Sequence, residues 1–302
     1  MRTDPPATPE PVFVLGPGRS FTSVVSTCLG QHPQLYGLPE TNLFLWNTMW
    51  DWWQRQGAGR APDAHGLLRT VAEVVYGEQS ARTVMLARLW IRRRLAQTPS
   101  EVLREIAGSV HPRRLVEKSP RTSAHPRRLQ ALDLAFPRAS FIHVVRSPIE
   151  QTRSIVAFAA EVGVPRQSLA GWLAAGGDPY ARWYQFNSNI LSFLETVPEQ
   201  RWVRVRGEDV LRDPARSLAA LADRLCLRAD AEAVEEMLHP ERSPFARFGP
   251  PGAEIGNDPH FLHDPRLRTA PGAPADRSAD FTIGPPPEEV SRLAVELGYP
   301  VA

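Results

Sequence analysis

Arg19, Ser20, Thr22 and Ser23 stand directly behind the turn Gly16-Pro17-Gly18. A guanidinium beside three hydroxyls is a set of hydrogen-bond donors suited to an anion such as phosphate. Arg146 and Ser154, eight residues apart, repeat the combination further along the chain. A guanidinium fork grips a phosphate in bidentate fashion, and a hydroxyl adds one more donor. Lys118, in Val116-Glu117-Lys118-Ser119-Pro120, contributes a third cation. Taken alone, the first stretch is a cradle for any phosphate-type anion.

These side chains need elements to aim them. The apolar, β-branched run 12–15 predicts a buried strand, and 24–29 predicts a helix after the turn. A strand that feeds a glycine turn and a helix leaves free backbone N–H groups pointing outward, and the helix dipole adds positive potential. Further strands are predicted over 114–116, 140–145 and 202–205, with helical spacing over 69–76, 81–95 and 100–107 and a closing helix over 288–297. The order β-α-β-α-β implies a three-layer α/β/α fold with a central parallel sheet. Arg19, Lys118 and Arg146 each fall just beyond the C-terminal end of a strand, where open α/β sheets bind ligands. After the third of these strands Ser147 reads as a helix N-cap, Pro148 as the first helical residue and Glu150 as the far half of a capping box.

Composition narrows the class. The chain has 302 residues, 42% hydrophobic and 23% charged, with a net charge of +2. That is enough for a real core, and too little charge for a nucleic-acid or membrane-surface protein. No apolar run reaches the 18 residues a membrane helix needs. Residues 1–11 carry four prolines and no apolar segment, which reads as a disordered lead-in rather than a signal peptide. Two cysteines, Cys28 and Cys226, far apart in sequence, fit a reducing, cytoplasmic compartment. Residues 12–302 read as a single domain. Residues 240–287 hold 11 prolines and little periodicity, the composition of a lid, a binding loop or a disordered stretch.

A Walker loop requires a second glycine followed by lysine; here Phe21 stands five residues after Gly16 and no lysine follows. The wording Arg19-Ser20-Phe21-Thr22-Ser23 after the first strand instead resembles the 5′-phosphosulfate loop of sulfotransferases that use 3′-phosphoadenosine 5′-phosphosulfate (PAPS). Strand–Arg146–Ser154–helix resembles the 3′-phosphate motif of the same family. The resemblance, closest to bacterial and tyrosylprotein-type members, implies the P-loop-like sulfotransferase fold. It implies cofactor contacts from Arg19, Ser20, Phe21, Thr22, Ser23, Arg146 and Ser154. It further implies transfer of a sulfuryl group to a hydroxyl of a small-molecule acceptor, without a metal. Glu40, in Leu38-Pro39-Glu40-Thr41 and 21 residues after Arg19, matches the place of the family's catalytic glutamate. It is the candidate general base, with Lys118 and Arg19 as charge stabilisers. The chain departs from the family twice: Phe21 stands where the loop usually has glycine, and Gly207 where a tyrosine often precedes the acidic Glu208.

Other features read more simply. Trp46, Met49, Trp50 and Trp53 recur at helical spacing and predict a core-facing stripe, with Phe44 and Trp52 off it. His260 and His263 lie between Pro259 and Pro265, which predicts a loop rather than a metal pair. Arg88, Arg92, Arg93 and Arg94 read as a solvated helix face. His143 falls inside a strand and His32 in a turn, so neither is better placed than Glu40 as a base. A nucleotide kinase would need the missing Walker lysine and a magnesium-binding aspartate. A nucleotide-binding protein without catalysis stays open.

Overall fold

A computed structural model of the chain describes residues 9–161, 178–268 and 284–300. Its centre is one sheet of five strands: β1 (Val12–Leu15), β2 (Leu35–Gly37), β3 (Arg114–Glu117), β4 (Ser140–Val145) and β5 (Trp202–Arg206). They lie in the order β2-β3-β1-β4-β5, and every pairing is parallel. Val12 is in register with Val116 on one side and Ser140 on the other, so β1 is the central strand. The four expected strands are present. The fifth, β2, is a three-residue edge strand ending in glycine, too short to show a period in sequence.

Successive side chains of a strand point to opposite faces, so β1 supplies both halves of the core. Phe13 and Leu15 join the cluster with Leu67, Leu103 and Phe136, whereas Val12 and Val14 join Val25, Leu29 and Leu218. The helices that cover those faces complete the three-layer α/β/α arrangement. On one face lie α3 (His65–Tyr76), α4 (Ala81–Arg92), α5 (Pro99–Ser109) and α6 (Pro126–Ala135). On the other lie α1 (Thr22–Gly30) and the helix Pro214–Arg224. Helix α7 (Pro148–Glu161) leaves the end of β4, and Pro179–Leu194 follows in chain order.

The aromatic stripe departs from expectation. A 3-10 turn spans Leu43–Leu45, and the helix α2 (Met49–Arg55) starts only after Thr48, whose side chain caps it by accepting the N–H of Asp51. Periodicity counted across Thr48 therefore has no helix to follow. Trp52 and Met49 are fully buried and Phe44 nearly so, while Trp50 is 54% exposed. Trp46 and Trp53 rest against the core's edge.

The proline-rich segment is more ordered than its composition suggests. Within the described part, Pro240–Arg242 forms a 3-10 turn and Pro259–His263 a short helix. Pro259 is at the start of that helix, where its missing N–H costs nothing, and Asp258 caps it through the N–H of His260. The loop reading of His260 and His263 is corrected accordingly. Residues 269–283 of the segment and 1–8 of the lead-in lie outside the described residues. Among the described residues no helix is long and apolar enough to cross a membrane.

Phe13 packs against three aromatic rings, those of Phe44, Phe136 and Phe141, at centroid distances of 5.9, 5.7 and 5.8 Å. Truncating it opens a cavity at the centre of the sheet. Phe13→Ala is expected to lose about 3–5 kcal/mol of unfolding free energy in urea titrations; a loss below about 1 kcal/mol would contradict this packing.

Candidate functional site

The C-terminal ends of β1 and β3 and the segment after β2 meet at Lys118. Its ammonium is completely buried and donates to Glu40 Oε1 at 2.6 Å, Ser23 Oγ at 2.8 Å and Asn257 Oδ1 at 2.9 Å. All three N–H donors are used. A buried ammonium without such partners would cost several kcal/mol, so the four residues are bound to one another. Glu40 is 28% exposed on its side chain, and among the described residues no hydrogen bond reaches its Oε2. The carboxylate thus has one oxygen on the lysine and one facing outward.

A second cluster forms at Arg19. Its Nε donates to Ser154 Oγ at 3.1 Å, its Nη1 to Asp258 Oδ2 at 2.6 Å, and its Nη2 lies 3.4 Å from His260 Nδ1. Arg146 Nη1 donates to the carbonyl of Arg19 at 2.7 Å, and burial pulls its guanidinium pKa down. Gln151, on the helix that Ser147 opens, ties the turn down by donating to the Gly18 carbonyl at 2.6 Å. Arg19 and Phe21 both have left-handed backbone, with φ of 65° and 62°. Each costs a non-glycine residue about 1–2 kcal/mol, which surrounding contacts must offset. Ser20 and Thr22 are buried in the loop, at 0% and 3% exposure.

The capping box after β4 is built differently from expectation. Ser147 Oγ accepts the N–H of Glu150 at 3.5 Å, but the N–H of Ser147 goes to Glu208 Oε1 at 3.0 Å. Glu150 pairs instead with Arg153. Glu208 also accepts the Tyr299 hydroxyl at 2.8 Å, and burial together with this carboxylate pushes the phenol pKa up. The acidic segment after β5 therefore anchors the N-terminus of the helix that carries Ser154.

Of the residues expected from sequence, Ser23, Glu40 and Lys118 are hydrogen-bonded in one cluster and Arg19 and Ser154 in another, with Arg146 on the Arg19 backbone. The sequence reading missed Asn257, Asp258 and His260, which close both clusters. His260 Nε2 also lies 2.5 Å from Glu161 Oε2. The signal for them was faint: an Asn-Asp-Pro turn that could cap a helix, inside a proline-rich stretch. His143 is fully buried against Asn187 Oδ1 at 2.9 Å, and burial pushes its pKa down to about 3. His32 is likewise buried, its ring bonded to the Arg228 carbonyl at 2.9 Å.

Sequence and structure comparisons follow the same line. The model of the sulfotransferase family matches residues 11–231. The chain belongs to the sulfotransferase family. The comparison with curated proteins gives no match. Among solved structures, the sulfotransferase domain from the curacin biosynthetic pathway is 25% identical, with 97% of this chain and 99% of that one covered and a TM-score of 0.75. The sulfotransferase domain of the Synechococcus olefin synthase shares the fold at 22% identity, with 100% and 99% coverage and a TM-score of 0.76. A mouse sulfotransferase solved with 3′-phosphoadenosine 5′-phosphate (PAP) has the fold at 13% identity, covering 95% and 82%, with a TM-score of 0.50.

In this sulfotransferase the placement of Glu40 is fixed by backbone. Its N–H donates to the Gly256 carbonyl at 2.7 Å, and a Cβ on Gly66 would stand 1.8 Å from the Glu40 carbonyl oxygen. The start of α3 must be glycine for the strap at 256 and the Glu40 segment to meet. Arg69, buried on α3, holds that strap by donating to the carbonyls of Arg247 and Ile255 at 2.8 and 3.2 Å. Glu117 completes the frame. Its Oε1 accepts from Thr41 Oγ1 at 2.7 Å and Ser119 Oγ at 2.6 Å, the neighbours of Glu40 and Lys118. Burial raises the Glu117 pKa, while both hydroxyls and Lys118 oppose that shift.

Two outcomes follow from this framing. Gly66→Ala forces Glu40 away from its place and is expected to lower turnover at least tenfold while the chain still folds, checked by circular dichroism beside the assay. The raised folded-state pKa of Glu117 means its contribution to stability is fully present below the unfolded carboxyl value and is lost as pH rises through the folded one. Glu117→Gln does not titrate. Its melting temperature relative to the parent is therefore expected to rise as pH is increased upward from about 4.3, the unfolded value. A gap that stays flat or widens against the variant over that range would contradict the shift.

Proposed function

We propose that this sulfotransferase moves a sulfuryl group from PAPS to a hydroxyl of a small-molecule acceptor, with Glu40 as general base. The observation that carries the reading is the Lys118 hydrogen-bond set. One buried ammonium joins Ser23 of the anion loop to Glu40, so the donor loop and the base share a single rigid contact. The residues present fit PAPS. Arg146 Nε is buried without a hydrogen-bond partner, and a Cβ on Gly18 would meet nothing within 4 Å, which leaves room for an anion against the turn. Loop residues Arg19, Ser20, Thr22 and Ser23 would hold the 5′ side, with Phe21 contributing only its backbone N–H there, and Arg146 with Ser154 the 3′-phosphate. Bound there, PAPS supplies a sulfuryl group on a phosphate leaving group.

The chain's own residues do the rest. Glu40 Oε2, the outward oxygen, takes the proton from the acceptor hydroxyl as that oxygen becomes a nucleophile. Lys118 and Arg19 hold fixed positive charge where negative charge gathers on the leaving oxygen, in a partly water-excluded site where such charge counts most. The buried frame of Glu117, Thr41 and Ser119 keeps base and ammonium in register, so alignment rather than reactivity is what the fold provides. The likeness to a domain from the curacin biosynthetic pathway supports a small biosynthetic acceptor.

Glu40→Gln keeps an acceptor for Lys118 but removes the base. It is expected to lower kcat by about 100-fold or more in a radiolabelled sulfate-transfer assay over an acceptor panel, with the Kd for PAP changed less than about threefold. A fully active variant would reject the base. A parent chain that neither binds PAP nor transfers sulfate would reject the donor.

A further inference from the structure

The ring of Phe21 touches two groups. A Cβ built on Gly207 would stand 2.4 Å from Phe21 Cδ2 and 3.0 Å from its Cβ and Cγ, so the ring rests on bare backbone where β5 ends. The Arg146 guanidinium carbon lies over the ring, 4.3 Å from its centroid. At that distance the cation is attracted to the ring's face as well as packed on it. The two departures from the family's usual residues, a bulky side chain at 21 and none at 207, are therefore one contact. The volume missing at one position is supplied from the other.

Arg146 is otherwise loosely determined. Its Nη1 is fixed on the Arg19 carbonyl, and its own carbonyl accepts the Trp183 indole N–H at 2.8 Å. Its Nε is buried with no partner. A guanidinium is planar, so one hydrogen bond and one ring face together define its orientation, and the direction in which the unpartnered N–H points follows from them. Phe21 also keeps this place in a left-handed backbone, with φ of 62°, which glycine would adopt without strain.

We propose that Phe21 is the positioning residue for Arg146, holding its guanidinium for a phosphate monoester, and that Gly207 is required to admit the ring. The ligand half of this rests on the reading of Arg146 as the 3′-phosphate contact. The ring thereby sets selectivity for a nucleotide with a 3′-phosphate over one that lacks it, because that phosphate is the group Arg146 would contact directly.

The test uses the full chain and its Phe21→Leu, Phe21→Gly, Gly207→Ala and Phe21→Gly/Gly207→Ala variants, titrated calorimetrically with PAP and with adenosine 5′-phosphate. Phe21→Leu keeps most of the volume and removes the ring face. It is expected to weaken PAP about tenfold and adenosine 5′-phosphate less than about threefold. Gly207→Ala is expected to weaken PAP in the parent and to have less than a twofold effect in the Phe21→Gly background, since the clash then has no ring to meet. Equal losses for the two nucleotides, or unchanged PAP binding by Phe21→Leu, would overturn the positioning role and leave the donor-site reading standing. Equal effects of Gly207→Ala in both backgrounds would overturn the interlock. A parent chain that binds neither nucleotide would overturn the donor-site reading and the ligand half with it. The same cycle measured by thermal unfolding without ligand then decides the contact: a lowered melting temperature from Gly207→Ala only when Phe21 is present supports it, and an equal drop in both backgrounds rejects it.

Discussion

A positive charge with no exposed surface organises this molecule. Lys118 is fully buried, and an ion removed from water costs several kcal/mol unless its donors are all satisfied. Satisfying them requires Ser23 from the first loop, Glu40 from beyond β2 and Asn257 from the proline-rich segment, all at one point. The chain carries 35 basic residues and Lys118 is the only lysine among them. An arginine fork is planar and reaches sideways, whereas an ammonium is a compact point charge with three donors that can face three directions. The place that needs that geometry is the place where lysine occurs.

The main lines of the fold were legible because they rest on local signals. The β-branched runs of β1 and β4, the glycine turn, and the Ser-Pro helix start after β4 each declare themselves within a few residues. So did the positions of Arg19, Lys118 and Arg146, because strand ends in parallel sheets face one way. What stayed hidden depends on contacts between distant residues. Asn257 and Asp258 lack any periodic pattern, and their role follows only from where the strap is pinned by Arg69 and Gly256. Glu208 took over half of the capping box expected of Glu150, a substitution that no spacing rule near Ser147 could show. The tryptophan stripe failed for a local reason: its phase was counted through Thr48, which ends one element and caps the next.

The departures at 21 and 207 look like defects in sequence and do not in space. A loop rule that expects glycine at 21 is a rule about backbone freedom, and a rule that expects tyrosine at 207 concerns a side chain. Each is applied separately along the chain. In the structure the ring of Phe21 lies where a side chain on Gly207 would have to be, so the bulky residue at 21 is admitted by the missing side chain at 207.

Charge balance then singles out one cation. Lys118 is neutralised by Glu40 at 2.6 Å, and Arg19 by Asp258 at 2.6 Å, with Asn257 and Asp258 adjacent in the strap that reaches both. Arg146 has a carbonyl and a ring face rather than a carboxylate in direct contact, and it keeps a buried N–H without a partner. Carbonyl and ring orient a guanidinium without an opposite charge in contact, whereas a carboxylate both orients it and offsets part of its charge. The Glu208 and Glu150 carboxylates act on Arg146 through space, whereas the Asp258 carboxylate is hydrogen-bonded to Arg19 directly. The strap therefore holds Arg19 through Asp258 and Lys118 through Asn257, and the sheet, by placing both cations at strand ends, leaves their pairing to a segment with no secondary-structure signal of its own.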